Sequence, residues 1–379
     1  MIYLDNSATT EPAKDVLHSF QHVSREFYAN PSSIHPFGGE AEELLRQARK
    51  QAAQLLGIHP EEVIFTSGGT EGNNLAIKGI ALKHRERGKH IITSVTEHPS
   101  VLKTCRILEE FGFDVTYLPV DETGAVSVSQ LEKAIREDTI LISIMHVNNE
   151  LGSVQPIVEI AKVVEKYPKV FFHVDHVQGF GKVPLSLQTN GIDLCTISGH
   201  KLHGLKGTGL LYIKRGTALH PLLHGGDQEY AYRSGTENVA GAVSLVKAMR
   251  LISDKMKTEG HRLYELQAYV KRHVQKMSDI EWNTPRKAAP HIMNVSASGL
   301  KPEVIIHALA EKGIMISTKS ACSSKELNES SVLIHCGFSH ERAASALRIS
   351  MSYETTQMEI DTFLTALKSA VSQLKEVMG

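Results

Sequence analysis

The sequence predicts an α/β fold, a mostly parallel central sheet flanked by helices and joined to a smaller α+β domain. Three observations carry this. Short apolar runs alternate with helical patterns over the first two thirds of the chain. Long helical patterns dominate the last third. The chain's 379 residues exceed what one small core organises.

The strand candidates are Val63–Thr66, His90–Ser94, residues 139–147, residues 170–174, Leu194–Ser198 and Gly209–Ile213. Between them, residues 41–56 place Leu44, Leu45, Ala48, Ala52, Leu55 and Leu56 on one helical face, with Gly57 as the cap. A closing helix begins at Thr356-Gln357-Met358-Glu359, which fits a capping box, and carries Ile360, Phe363, Leu364, Leu367, Val371 and Leu374 at helical spacing. The expected division is a large unit of residues 15–258 and a small one formed by residues 1–14 plus 259–379.

Composition narrows the function classes. A net charge of −1 offers no broad attraction for nucleic acid or an anionic membrane, so no direct nucleic-acid or membrane partner is expected. Met1-Ile2-Tyr3-Leu4-Asp5-Asn6 lacks a targeting pattern and no run reaches bilayer-spanning length, which makes a cytoplasmic location the expectation. Cys105, Cys195, Cys322 and Cys336 show neither CxxC nor zinc-like spacing, so reduced thiols are expected and no metal site.

In open α/β sheets, ligands gather at the carboxyl ends of strands. The unusual polar residues of this chain lie there. Lys201, in Ser198-Gly199-His200-Lys201, comes directly off an apolar strand and is a candidate imine-forming amine. Asp175 closes another apolar run, where a carboxylate can pair with a protonated pyridine nitrogen of pyridoxal phosphate (PLP), and Gln178 follows three residues later. Ser67-Gly68-Gly69-Thr70-Glu71-Gly72 leads from strand to helix, where free N–H groups and the helix dipole favour a phosphate; Ser198 and His200 offer further phosphate contacts. His98, also at a strand end, can stack on a flat ring and shuttle protons. Arg348, from its surroundings alone, reads as a surface charge.

The pattern resembles the PLP-dependent cysteine desulfurases of the NifS/IscS type, in the class V aminotransferase superfamily, over nearly the whole chain. It does so through Tyr3-Leu4-Asp5-Asn6-Ser7-Ala8-Thr9-Thr10, Asn30-Pro31-Ser32-Ser33, residues 66–74, Asn148-Asn149-Glu150, His173-Val174-Asp175, residues 198–201, Arg233-Ser234-Gly235-Thr236 and Ser320-Ala321-Cys322-Ser323-Ser324. The resemblance implies a fold-type I PLP-dependent transferase. In it, Lys201 would hold PLP, Asp175 would pair with the ring nitrogen, Gln178 would touch the ring hydroxyl and His98 would stack on the ring. Gly69, Thr70, Ser198 and His200 would grip the phosphate, with Thr236 reaching it from the neighbouring subunit of a homodimer. Asn149 would sit beside cofactor and substrate, and Arg348 would clamp the substrate carboxylate.

Cys322 decides the chemistry that this resemblance implies. Its surroundings, residues 317–325, are small and polar, which favours an exposed, mobile thiol beside cations, whereas Cys105, Cys195 and Cys336 read as packing residues. L-Cysteine would lose its sulfur to the Cys322 thiolate, leaving alanine and a persulfide for an iron–sulfur scaffold or a tRNA-thiolation enzyme. The segment Ala321-Cys322-Ser323-Ser324 resembles the long-loop subgroup of the family, while Lys319 and Leu205 stand where the family usually has glycine and proline. The rivals are another class V PLP enzyme, an aminotransferase or a selenocysteine lyase, and a non-catalytic sulfur carrier or scaffold.

Overall fold

Strands alternate one by one with helices from residue 63 to residue 175 in the computed structural model, which describes residues 1–188, 191–318 and 329–378. The order is β1 (Ile2–Tyr3), α1 (Lys14–Glu26), α2 (Pro36–Leu56), β2 (Val63–Thr66), α3 (Gly69–His84), β3 (His90–Ser94), α4 (Pro99–Glu110), β4 (Asp114–Leu118), α5 (Val128–Ala134), β5 (Thr139–Met145), α6 (Ile157–Val164), β6 (Phe171–Asp175), β7 (Leu194–Ser198) and β8 (Gly209–Ile213). There follow α7 (Val239–Val274), β9 (Glu281–Trp282), β10 (Ile292–Ser296), α8 (Pro302–Glu311), β11 (Ile314–Met315), α9 (Ser331–His335), α10 (His340–Ala344), β12 (Ala346–Ser350) and α11 (Gln357–Met378).

The central sheet has the order β2-β8-β7-β6-β5-β3-β4. The pairs β4–β3, β3–β5, β5–β6 and β6–β7 are parallel, while β8 runs antiparallel to both β7 and β2. Every residue of β5, β7 and β8 is buried, as expected for strands covered on both faces, so their sequences are near-continuous apolar runs without alternation. Strand β4 is the exception at the edge. Its mixed pattern Asp-Val-Thr-Tyr-Leu is only partly buried, which is why the apolar-run criterion overlooks it.

Smaller sheets complete the fold. Strands β12-β10-β9 form an antiparallel sheet, and β1 pairs in parallel with β11, tying the chain's start to residues 314–315. Helix α7 runs unbroken through residues 258 and 259, between which the expected division falls. Two local expectations hold in detail. Gly57 caps α2 at φ 68°, a left-handed conformation cheap only for glycine. Thr356 Oγ1 accepts from the Glu359 N–H (3.2 Å) and the Thr356 N–H donates to Glu359 Oε2 (2.8 Å), closing the capping box.

Candidate active site

The carboxyl ends of β2, β3, β5, β6 and β7 open into one cavity of about 520 Å³. Strand β3 lies between β4 and β5, so the chain leaves it toward one edge and returns on its other side, a reversal that opens a crevice at the strand ends. Gly69, Thr70, His98, Asn149, Asp175, Gln178, Ser198, His200, Lys201 and Arg348 all line the cavity.

The turn from β2 into α3 is fixed by backbone proximity. A Cβ on Gly209 of β8 would lie 2.6 Å from Gly68 Cα, and one on Gly69 would lie 2.9 Å from Val177 Cγ2. Glycine therefore lets the first turn of α3 approach the strand ends, with its unsatisfied N–H groups facing the cavity. Glu71 secures the turn by accepting from the Ser67 N–H (2.8 Å) and from Arg233 Nε (2.9 Å).

Lys201 follows β7 in a short 3-10 turn, and its Nζ donates to the carbonyls of Ser7 (2.5 Å) and Ala8 (2.7 Å). Beneath it, buried Lys182 donates from Nζ to the Lys201 carbonyl at 2.7 Å; burial first, then the Lys201 charge, lowers the Lys182 amine to about 7. Asp175 is held at both oxygens, Oδ1 by the Val177 N–H (3.0 Å) and Oδ2 by Asn73 Nδ2 (2.7 Å). Gln178 Nε2 donates to the Ser7 carbonyl (2.9 Å). Gln178 Oε1 and Ser198 Oγ are buried with no hydrogen-bond partner among the described residues.

The imidazoles are kept neutral. His200 is lowered to about 4, by burial first and then by the Lys201 and Lys206 charges, and it contacts Thr9 Oγ1 at 3.3 Å. Burial also lowers His98, opposed by the Asp175 charge and reinforced by Lys201. Behind His98, buried Glu97 accepts from the Met145 N–H (2.8 Å) and Ser94 Oγ (3.2 Å), and desolvation pushes its carboxyl well above the usual range.

Arg348 corrects a reading. The surface charge that its surroundings suggest is 1% exposed, at the centre of β12. Its Nη2 pairs with Asp5 Oδ1 (2.9 Å) and its Nη1 donates to the Asn149 carbonyl (3.1 Å), while Nε has no partner among the described residues. Strand pairing with β10 buries it, a long-range event invisible in the local sequence.

Thr236 is exposed and does not line this cavity. Cys322 lies outside the described residues. Cys105, Cys195 and Cys336 are buried, and desolvation raises all three thiols, Cys105 and Cys336 to about 12. Among the described residues no cluster of His, Cys, Asp and Glu is arranged to hold a metal, and no helix is long and apolar enough to cross a membrane. Asn73, one helical turn after Gly69, and Ser100, two residues after His98, also line the cavity with no role given to them by the sequence, and Lys182 lies behind Lys201. Helical spacing places Asn73 beside the glycine turn; nothing local marks Lys182.

The family model for class-V aminotransferases matches residues 2–363. A cysteine desulfurase IscS of Dictyoglomus turgidum is 44% identical over 378 residues, covering 99% of this chain and 96% of its own. A NifS/IcsS protein homolog of Lactobacillus delbrueckii subsp. bulgaricus is 44% identical over 380 residues, covering 100% and 99%. Among solved structures, a NifS-like protein superposes with a TM-score of 0.92 at 36% identity, over 98% of this chain and 99% of that one. SspA in complex with cysteine superposes with a TM-score of 0.82 at 36% identity, over 94% and 100%.

Proposed function

This chain belongs to the class-V aminotransferase family, within it to the IscS/NifS cysteine desulfurases, and on that premise we propose that it uses PLP to move sulfur from L-cysteine onto Cys322. The observation that carries the proposal is one cavity that combines an amine, a doubly held carboxylate, an anion-binding helix start and a buried guanidinium.

The residues fit PLP. Ser198 Oγ and Gln178 Oε1 are buried polar atoms in need of a partner, suited to a phosphate and a ring hydroxyl respectively. Gly69, Thr70, Ser198 and neutral His200 would hold the phosphate, Asp175 the protonated ring nitrogen, Gln178 the ring hydroxyl, and Lys201 Nζ the aldehyde carbon; His98 would cover one ring face. When bound, PLP supplies an electron sink for charge developing on the substrate's carbon.

The protein's own steps follow from position. Arg348 receives the substrate carboxylate through a charge-assisted fork, with Asn149 beside it. Lys201 Nζ takes the proton from the substrate's Cα. The Cys322 thiolate then forms an S–S bond to the substrate sulfur as the substrate's C–S bond breaks; the carbon is protonated, alanine leaves and the persulfide remains.

The homodimer is part of the proposal. Thr236 is exposed in its own chain while its neighbour Arg233 is tied to Glu71, which supports a segment held ready to complete a partner's phosphate site. So is the division into residues 15–258 and residues 1–14 plus 259–379, supported by the β1–β11 pairing that joins both ends of the second unit. The acceptors proposed are an iron–sulfur scaffold or a tRNA-thiolation enzyme.

The test is direct. The purified protein is expected to be yellow and to release alanine from L-cysteine, Cys322→Ala to keep the colour and lose alanine release, and Lys201→Ala to lose the covalent absorbance band. Full desulfuration by Cys322→Ala overturns the role of that thiol; transamination with a keto acid in its place favours an aminotransferase.

A further inference from the structure

Four groups lining the cavity form a continuous hydrogen-bond chain whose directions are fixed by valence. Asn73 Nδ2 lies 2.7 Å from Asp175 Oδ2 and 2.9 Å from Ser100 Oγ. Ser100 Oγ lies 2.8 Å from His98 Nδ1, and the Ser100 N–H donates to the same nitrogen at 3.1 Å. Asn73 and Ser100 are buried.

The carboxylate of Asp175 only accepts, so the amide of Asn73 must present its NH2 there; the flipped amide would set oxygen against oxygen. Its Oδ1 has no hydrogen-bond partner among the described residues. The second amide hydrogen then points at Ser100 Oγ, which becomes an acceptor. A hydroxyl has one hydrogen, and here the one direction left for it is His98 Nδ1. That nitrogen faces two donors, so it carries its lone pair and no proton.

We infer that Asn73 and Ser100 are positioning residues that hold His98 as the neutral tautomer protonated at Nε2, with the orientation set by the Asp175 carboxylate. The inference rests on the function proposed above for its catalytic meaning and on geometry alone for the tautomer. Among the described residues, the titratable groups facing the ring include Asp175, which favours a second proton, Lys201, which opposes one, and His200, which interacts with the same ring; burial opposes it most. A ring fixed in this way has no lone pair at Nε2. It offers a flat neutral face and an N–H donor there, and the proton leaving the substrate's Cα goes to Lys201 Nζ. The chain also couples the two groups that face the cofactor ring. Anything that moves Asp175 reorients the amide, releases the Ser100 hydroxyl and frees Nδ1.

The test uses the holoenzyme labelled with 15N-histidine and long-range 1H–15N correlation spectra, with His98 assigned by its loss in His98→Gln. Wild type is expected to show Nε2 protonated and Nδ1 bare, without change from about pH 8 down to the ordinary histidine value of about 6.5. In Asn73→Ala the His98 midpoint is expected to move up toward the ordinary value. In Ser100→Ala, kcat for alanine release is expected to fall about tenfold with KM within about twofold, and Ser100→Thr, which keeps the hydroxyl, to restore most of it. A wild-type signal with the proton on Nδ1 overturns the inference, whatever the variants do. So does an unchanged His98 titration in Asn73→Ala together with unchanged kcat in Ser100→Ala. Failure of wild type to release alanine sinks the proposed function instead, and the tautomer is still read from the same spectra.

Discussion

Replacing Arg348 separates what that residue does for the substrate from what it does for the fold. Its Nη2 pairs with Asp5 Oδ1 at 2.9 Å, and the side chains of Arg348 and Asp5 are 1% and 20% exposed. A planar fork facing a substrate carboxylate makes paired charge-assisted hydrogen bonds. Loss of that pairing costs about 3 kcal/mol, or roughly a hundredfold in KM for L-cysteine. Arg348→Lys keeps the cation near Asp5 but loses the fork, so KM is expected to rise with little loss of stability. Arg348→Ala removes both and leaves Asp5 unpaired. Breaking a buried pair costs about 3–5 kcal/mol, and the partial exposure of Asp5 reduces this to about 2–3 kcal/mol.

The pH dependence of that loss has a definite sign. Asp5 already titrates above its ordinary 3.8 because burial outweighs the pull of Arg348, and removing Arg348 raises it further. A raised carboxyl binds its proton more tightly in the folded state, so its contribution to stability is present at low pH and is lost as pH rises through the folded value. Arg348→Ala is therefore expected to be more destabilised, relative to wild type, near pH 8 than near pH 5, in urea denaturation read by circular dichroism. Asp5→Asn in the same chain is expected to abolish that difference. An Arg348→Lys enzyme with wild-type KM refutes the fork, and equal destabilisation of Arg348→Ala at both pH values refutes the linkage to Asp5.

Other outcomes follow from the same structure. Glu229→Gln leaves Arg49, bound through two guanidinium nitrogens at 2.8 and 2.6 Å and only 9% exposed at its side chain, without its countercharge, and is expected to lower unfolding free energy by about 3 kcal/mol in urea. The double variant Arg49→Met with Glu229→Met is expected to recover most of it. Lys182, lowered to about 7, gives wild type a stability that grows as pH rises from about 7 toward its ordinary 10.5 and is lost as pH falls back; Lys182→Met is expected to flatten that part of the urea-midpoint profile. Ser198→Ala removes a buried hydroxyl placed for the phosphate and is expected to weaken PLP retention about tenfold in equilibrium dialysis, with secondary structure unchanged by circular dichroism.

What the sequence determined by itself is the local part of this protein. Buried strands announce themselves as continuous apolar runs because both faces of the sheet are covered, and β6, β7 and β8 fall within a residue of where those runs lie. Caps are equally local, as Gly57 and Thr356 show, since the groups they satisfy lie within four residues. The strand-end positions of Lys201, Asp175 and His98 belong to the same class, because polar residues that interrupt apolar runs mark where strands stop. The tertiary structure alone decided what depends on distant partners. Arg348 is indistinguishable from a solvated arginine until β12 pairs with β10 and Asp5 arrives from the chain's start. Lys201 meets the Ser7 and Ala8 carbonyls from 194 and 193 residues away, and Asn73 reaches Asp175 across 102. Local propensity has a reach of a few residues, and these side chains take their charge state and direction from neighbours that only folding supplies.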